Sequence, residues 1–221
     1  IGEGAATNPF DDIFKTENII VMGSNTTEAH PIVSNRMIKA VRDKIATLTV
    51  IDVRQIQLSK FGEQLIIPYE ANLLVLNMMA YVILSEKLYN TEFIDSRCTG
   101  FEAYKDSILN DPYANPEYMK NVSGYEYLTE QIPTVARLYA TKKSMFFWGL
   151  GITEHLDGSY AVMAITHLSM MTGNIGKPGT GLMPLRGQNN VQGACDTGCL
   201  PYYGPDYSVP DEIGLMTPQL I

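Results

Sequence analysis

The stretch Asn18-Ile-Ile-Val-Met-Gly23 begins the pattern from which the fold can be predicted, because four consecutive apolar residues lie between a polar residue and a glycine. Such a run predicts a buried strand. Pro31 is suited to the first turn of a helix, and the residues after it predict a helix over 31–43. A second β-rich run follows at Thr47–Asp52. Strand, helix and strand in this order predict two parallel strands joined by a right-handed crossover.

Apolar runs farther along the chain extend this alternation of strands and helices. They predict strands at residues 65–67 and 144–148 and helices at residues 70–88, 126–141 and 159–171. The sum is an α/β fold with a parallel sheet covered by helices on both faces, in a Rossmann-like three-layer arrangement. Glycine- and proline-rich sequence after Gly173 predicts an extended, loop-rich C-terminal tail.

Composition narrows the class of protein. The 221 residues are 45% hydrophobic and 18% charged, which is typical of a globular domain. A net charge of −8 argues against a nucleic-acid partner, because such surfaces are basic. The longest apolar run, residues 73–84, is too short to cross a bilayer, so no direct membrane insertion is expected.

Three cysteines, Cys98, Cys195 and Cys199, are too few for a disulfide framework. The Cys195–Cys199 pair has no second pair and no nearby histidine, so we expect no metal site there. Buried or half-buried thiols in a reducing compartment are the expected state of these residues. The chain begins at Ile1 without a methionine, and we expect it to be a piece of a longer protein.

Polar loops follow three of the predicted strands, at Gly23–Glu28, Asp52–Arg54 and Gly149–Gly151. In open α/β sheets, ligands bind outside the carboxyl ends of the strands. Asp52 can accept hydrogen bonds from ribose hydroxyls or a guanine edge, and Arg54 can pair with phosphate. Each loop alone is compatible with an ordinary turn, but three at one edge favour a nucleotide-like ligand. The glycine pattern differs from the dinucleotide fingerprint, so NAD is not expected.

The stretch Gly181–Asp196 has an unusual composition for a surface loop. Between Pro184 and Cys195 its one charge is Arg186, and it also contains the amides Gln188, Asn189, Asn190 and Gln192. A guanidinium grips a carboxylate at two points, so this composition favours a site for a polar ligand and a small anion. An ordinary polar surface loop is the alternative.

Three blocks of sequence together resemble one known family. They are Gly181-Leu-Met-Pro-Leu-Arg-Gly-Gln-Asn-Asn-Val-Gln-Gly-Ala-Cys-Asp196, the preceding Met171-Thr-Gly-Asn-Ile-Gly-Lys-Pro-Gly-Thr180, and Val21-Met-Gly-Ser-Asn-Thr-Thr-Glu-Ala-His-Pro31. The chain resembles the catalytic (alpha) subunit of molybdenum- or tungsten-dependent formate dehydrogenases, which bind two molybdopterin guanine dinucleotides. The match runs in register from about residue 17 to about residue 207.

The resemblance implies roles for individual residues. Arg186 would hold the formate carboxylate, Gln188 would help to orient it, and Gly187 and Asn189 would contact the pterin. The implied cofactor-binding positions in the rest of the chain are Gly23, Asn25, Glu28, Asp52, Arg54, Asn72, Leu150, Gly151 and Glu154. Family members often carry Asp at the position of Glu28 and Gln at that of Glu154. We therefore expect a leading loop at residues 1–16, a guanine-dinucleotide-binding α/β domain at 17–175 and a pterin and substrate segment at 176–221.

The implied reaction of the parent protein is the two-electron oxidation of formate to CO2. The family also needs an iron–sulfur cluster in an N-terminal cysteine-rich segment and a Cys or selenocysteine that ligates the metal, and neither is in this sequence. We therefore expect an internal fragment that is inactive alone. Its expected partners are formate, the remaining domains and an electron-transfer subunit or acceptor, and its expected location is the cytoplasm. The alternatives are another molybdopterin oxidoreductase, such as a nitrate reductase, and a non-catalytic nucleotide-binding module.

Overall fold

A computed structural model describes residues 5–122, 124–215 and 217–220 of the chain. The chain divides into two compact units, Ile1–Leu185 and Arg186–Ile221. Within the described residues, the first unit contains one sheet of five parallel strands in the order β3-β2-β1-β4-β5. The strands are β1 (Asn18–Met22), β2 (Thr47–Asp52), β3 (Glu63–Ile66), β4 (Ser144–Trp148) and β5 (Gly181–Pro184).

Helices connect these strands. In the first unit they are α1 (Thr26–Ala29), α2 (Pro31–Arg42), α3 (Asn72–Ser85), α4 (Thr91–Arg97), α5 (Phe101–Leu109), α6 (Pro116–Met119), α7 (Leu128–Thr141), α8 (Leu150–Thr153) and α9 (Gly158–Thr172). Short 3-10 helices lie at Phe10–Lys15, Gln57–Phe61 and Pro112–Ala114. Among the described residues, no helix combines the length and the apolar character that a membrane crossing requires.

Every residue of β1 is buried, and its side chains alternate between two apolar cores. Ile20 and Met22 join the core that α3, α7 and α9 cover, whereas Ile19 and Val21 join the core that α2 covers. This alternation follows from the two-residue period of a strand. A strand buried on both faces therefore carries a continuous apolar run, as the four residues from Ile19 to Met22 do.

The α/β fold predicted from the sequence is confirmed, and β1, β2 and β4 are neighbours in one parallel sheet. The predicted helix over residues 31–43 is found at Pro31–Arg42, and that over 159–171 at Gly158–Thr172. The third strand is found at Glu63–Ile66, slightly before its predicted place.

The sequence did not predict β5, which lies inside the expected tail, or the 3-10 helix at Phe10–Lys15. β5 has only four residues, begins with a glycine and ends with Pro184. It is paired with β4 on one side, and a proline is tolerated there because an edge strand needs fewer backbone donors. The predicted division of the chain at residues 16 and 175 remains a prediction.

The second unit has short helices and little buried surface. It contains α10 (Val191–Asp196), a 3-10 helix at Pro205–Tyr207 and α11 (Thr217–Leu220). The rings of Tyr203 and Tyr207 lie 6.1 Å apart, and the amide of Gly214 donates to the carbonyl of Pro201 at 2.7 Å. A few local contacts of this kind hold the second unit together, whereas apolar cores stabilise the first unit.

Candidate functional site

Strand β1 lies in the middle of the sheet, and the order in which the chain adds strands reverses there. From β1 the strands proceed to β2 and β3 on one side, and β4 and β5 lie on the other side. At such a reversal the helices that follow the two neighbouring strands pack on opposite faces of the sheet, as α2 and α9 do here, and a crevice forms at the carboxyl edge. A cavity of about 230 Å³ lies at this edge. Its walls are formed by Gly23, Asn25, Asp52, Val53, Arg54, Tyr69, Asn72, Gly151 and His155.

Six of the cofactor-binding residues proposed from the sequence thus line one cavity, and they lie at or shortly after the carboxyl ends of four different strands. They are Gly23, Asn25, Asp52, Arg54, Asn72 and Gly151. We call this group, with the cavity between them, the sheet-edge site. Its side chains offer one carboxylate, one guanidinium and two amides, which can together bind both the donors and the acceptors of a nucleotide.

Gly23 and Gly151 bring the loops after β1 and β4 into direct backbone contact. The amide of Gly151 donates to the carbonyl of Gly23 at 3.0 Å. A Cβ atom on Gly23 would lie 2.8 Å from the carbonyl carbon of Gly151, and Gly23 has a φ of +60°. A side chain at this position is therefore disfavoured twice, by space and by backbone conformation. Packing between the loops gives these glycines a structural role that the sequence did not reveal.

Asn72 ties a helix to the same loop. It is the first residue of α3, it is buried, and its Nδ2 donates to the carbonyl of Gly151 at 2.9 Å. One donor of this amide is thus used inside the protein. The bond fixes the beginning of α3 against the loop that follows β4, so the wall of the cavity is held in place by the protein itself.

Asp52 and Arg54 give the sheet-edge site its charges. Asp52 is buried at the end of β2, and its Oδ1 accepts the backbone amide of Arg54 at 3.2 Å. Burial raises the pKa of the Asp52 carboxyl, and the backbone hydrogen bonds from Arg54 and Val53 oppose that rise. The Arg54 side chain is exposed and forms no ion pair with any described residue. A buried acceptor and an exposed cation therefore stand two residues apart.

Two aromatic rings flank the cavity. The rings of Tyr69 and His155 lie 5.1 Å apart with a tilt of 47°, and both residues line the cavity walls. Planar rings beside a polar pocket can stack on a nucleobase. Tyr69 and Val53 were not among the residues proposed from the sequence, although Tyr69 follows the carboxyl end of β3, where the sequence pattern predicts ligand-binding residues.

Three other proposed residues do not line this cavity. Glu28 is exposed on α1, Leu150 is exposed at the beginning of α8, and Glu154 is exposed just after that helix. All three lie in the loops and short helices that follow β1 and β4. A ligand larger than the cavity would have to extend over the surface to reach them.

The remaining proposed residues belong to the second unit. All four are exposed: Arg186, Gly187, Gln188 and Asn189. Asn190 adopts a left-handed backbone conformation, with φ of +52°, and its Oδ1 accepts the amide of Gly193 at 3.3 Å, which caps α10. Gln192 donates to Asp196 Oδ1 at 3.2 Å. Two of the four amides thus support the local helix, a role that the sequence analysis had not assigned to them.

Comparison with known proteins supplies the family context. The profile of the family described as "Molybdopterin oxidoreductase" matches residues 2–220. Formate dehydrogenase H of Escherichia coli (strain K12) is 40% identical over 209 residues, covering 94% of this chain and 28% of the relative. A formate dehydrogenase subunit alpha of Methanocaldococcus jannaschii is 42% identical over 209 residues, covering 93% of this chain and 30% of the relative.

The fold has a counterpart among solved structures. Acetylene hydratase from Pelobacter acetylenicus matches 80% of this chain and 24% of its own with a TM-score of 0.69 and 20% identity. At this identity the match shows the fold alone. The chain spans less than a third of the length of each of these three proteins.

Proposed function

Because this chain belongs to the molybdopterin oxidoreductase family, we propose that it is part of the catalytic subunit of a formate dehydrogenase, which oxidises formate to CO2 and releases two electrons. One observation carries the proposal. Relatives named as formate dehydrogenases are 40% and 42% identical to this chain over more than nine tenths of its length. The arginine and amide composition of residues 186–192 suits the carboxylate of such a substrate.

The sheet-edge site would hold the guanine nucleotide end of a molybdopterin guanine dinucleotide. Asp52 is a buried acceptor for the N–H groups of guanine or for ribose hydroxyls, and Arg54 is an exposed cation for phosphate. At about 230 Å³ the cavity is smaller than the roughly 300–1,000 Å³ of pockets for drug-sized ligands, so it fits one portion of a dinucleotide. The rest would extend toward Glu28, Leu150 and Glu154.

Arg186 would bind formate. Its guanidinium can donate two parallel hydrogen bonds to the two carboxylate oxygens, which fixes the plane and direction of the small substrate. Gln188 would contribute a neutral hydrogen bond, and Gly187 and Asn189 would contact the pterin. When bound, the molybdenum or tungsten centre supplies the two-electron redox chemistry, and the protein supplies binding and orientation.

Other parts of the parent protein would complete the enzyme. They would provide the Cys or selenocysteine that ligates the metal, the iron–sulfur cluster and the contact with an electron-transfer subunit or acceptor. The parent would act in the cytoplasm. The 221-residue polypeptide alone would be inactive.

The test uses the full-length parent protein, purified and analysed for metal and pterin. We expect molybdenum or tungsten with pterin, and reduction of a viologen dye that depends on formate. Reduction of nitrate by the same preparation, with no response to formate, would favour the nitrate reductase alternative. A protein without metal, pterin and activity would favour a nucleotide-binding module and would contradict the proposal.

A further inference from the structure

Helix α9 differs from a normal surface helix because none of its 15 residues is charged. Helix α3 also lacks charged residues, but most of its side chains are buried. One face of α9 is likewise buried, with Ala161, Ile165 and Leu168 in the core. A helix that is apolar all round is normally covered on all sides. The opposite face of α9 is therefore unusual in being open to solvent.

The open face of α9 carries a regular stripe, which we call the α9 seam. It consists of Tyr160, Met163, His167 and Met170, spaced by three, four and three residues. This is the spacing with which one helix presents side chains to another helix. Tyr160 is 65% exposed and Met163 is 51% exposed. His167 and Met170 are half-buried beside them, so the seam presents two large exposed side chains one helical turn apart, a feature of interaction surfaces.

A cavity of about 400 Å³ opens beside the α9 seam. Met163, His167 and Met170 form one wall, and Phe101 and Tyr104 belong to the other. The rings of Tyr104 and His167 lie 4.5 Å apart. A hollow of this size between apolar walls can receive a bulky side chain from a neighbouring helix, as knobs enter holes in packed helices.

The Tyr104 hydroxyl is a second sign that a partner is expected in this cavity. Its oxygen is buried and has no hydrogen-bond partner among the described residues. Burial raises the pKa of Tyr104 and lowers that of His167, so both groups are uncharged near neutral pH. A buried hydroxyl without a hydrogen-bond partner costs free energy. An incoming acceptor would remove that cost.

We propose that the α9 seam binds a helix from the part of the parent polypeptide outside these 221 residues, and that a bulky side chain of that helix enters the cavity near Tyr104. The chain spans only 28% and 30% of two of its relatives, so most of a polypeptide of that length lies outside it. A segment of the same polypeptide is present at high effective concentration and has no need of charges for steering. The charge-free seam fits such a permanent, apolar contact.

Photo-crosslinking in the full-length parent protein tests this proposal. Tyr160 is replaced with the photoreactive p-benzoylphenylalanine, and the same replacement at Asn35, exposed on the polar side of α2, is the matched control. We expect Tyr160 to crosslink within one polypeptide to a peptide outside residues 1–221, with a yield that does not depend on protein concentration. Crosslinks between two polypeptides, crosslinks confined to residues 1–221, or a yield no higher than that at Asn35 would overturn the proposal.

A second pair of variants needs no photochemistry. Met163→Glu would place a carboxylate in the covered seam, whereas Asn35→Glu adds the same charge to an exposed surface. We expect Met163→Glu to lower the melting temperature of the parent protein by at least twice the shift of Asn35→Glu, because a buried charge without a partner is costly. Equal shifts would mean that the α9 seam is open to solvent in the parent protein, and the proposal would fail.

Discussion

The sheet-edge site and the segment after Leu185 form polar surfaces in different ways. At the sheet edge, contacts join residues far apart in the sequence, such as Gly151 with Gly23 at 3.0 Å and Asn72 with Gly151 at 2.9 Å. In the segment, hydrogen bonds join near neighbours, such as Asn190 with Gly193. Long-range contacts belong to the fold, whereas local ones constrain only a loop. Substitutions at the edge should therefore affect stability first, and substitutions of Arg186 should affect chemistry first.

Arg186→Lys in the full-length parent should give the largest effect, and it should be on activity. Lysine keeps the charge but loses the planar fork that fixes a carboxylate. Loss of a charged hydrogen bond is worth about 1.5–3 kcal/mol, which corresponds to a decrease in kcat/KM for formate of roughly 10- to 150-fold. Gln188→Ala, which removes a neutral bond, should do less. Activity, metal and pterin are measured on one preparation, and a loss of metal and pterin equal to the loss of activity would instead assign Arg186 a structural role.

Gly23→Ala should do the opposite of Arg186→Lys: it should lower the stability of the protein more than its turnover of formate. The added Cβ would meet the backbone of Gly151 at 2.8 Å, and overpacking of this kind costs about 1–3 kcal/mol. Gly176→Ala is the matched control, because Gly176 also has a positive φ, of +74°, but apart from its two chain neighbours no atom of the described residues lies within 4 Å of the added Cβ.

Thermal denaturation of the parent protein measures both glycine variants. Both should be destabilised by the left-handed backbone, and Gly23→Ala should be destabilised further by the contact with Gly151. If the two melting temperatures fall equally, the contact between Gly23 and Gly151 does not exclude a side chain at residue 23. The proposed difference between the sheet-edge site and the segment after Leu185 would then lose this support.

Asn72→Ala should destabilise the edge by a smaller amount. The change removes the donor to the Gly151 carbonyl at 2.9 Å, and an ordinary hydrogen bond contributes about 0.5–1.5 kcal/mol. Asn35→Ala on the exposed side of α2 provides the comparison, because surface substitutions usually stay within about 0.5 kcal/mol. Equal melting temperatures for the two variants would show that water replaces the Asn72 amide and that the bond does not fix α3.

Asp52→Asn should have the smallest effect on stability, and the variant should be slightly more stable than wild type. Burial raises the folded-state pKa of Asp52 above its ordinary value of 3.8, so ionisation disfavours the folded state. Wild-type stability is therefore lost as the pH rises from the ordinary pKa through the folded pKa, and the loss is complete above it. Asparagine removes this dependence, so the melting temperature of the variant relative to wild type should rise over the same pH window.

The same Asp52→Asn variant should bind guanine nucleotide less well, because an amide oxygen is a weaker acceptor than a carboxylate. Calorimetry with GMP at neutral pH measures the difference. Tighter binding by the variant would remove Asp52 from the proposed site, and a melting temperature below that of wild type at every pH would contradict the stability prediction.

The parts of the fold that depend on local sequence could be predicted. The buried runs at Asn18–Met22, Thr47–Asp52 and Ser144–Trp148 are apolar enough to indicate strands by themselves. β5 could not be predicted, because its four residues are a strand only through pairing with β4. A rule about where ligands bind on parallel sheets was enough to group Asp52 with Gly23 and Gly151.

The contacts within the site were beyond sequence analysis. The direct approach of Gly23 to Gly151 depends on the distance between two strands that are more than a hundred residues apart in the chain. The approach of the Tyr69 ring to the His155 ring depends on how the chain turns after β3. Neither leaves a periodic signal in the sequence. The roles proposed for Glu28, Leu150 and Glu154 rest on resemblance and remain predictions.

An experimental structure of the parent protein, isolated with its cofactor and soaked in formate, is the most direct test of the proposed function. We expect the guanine end of the dinucleotide to contact Asp52 at the sheet edge, and the Arg186 guanidinium to contact both oxygens of formate. A guanine end bound away from Asp52, or an Arg186 side chain that pairs with a protein carboxylate while formate binds elsewhere, would contradict the proposed function.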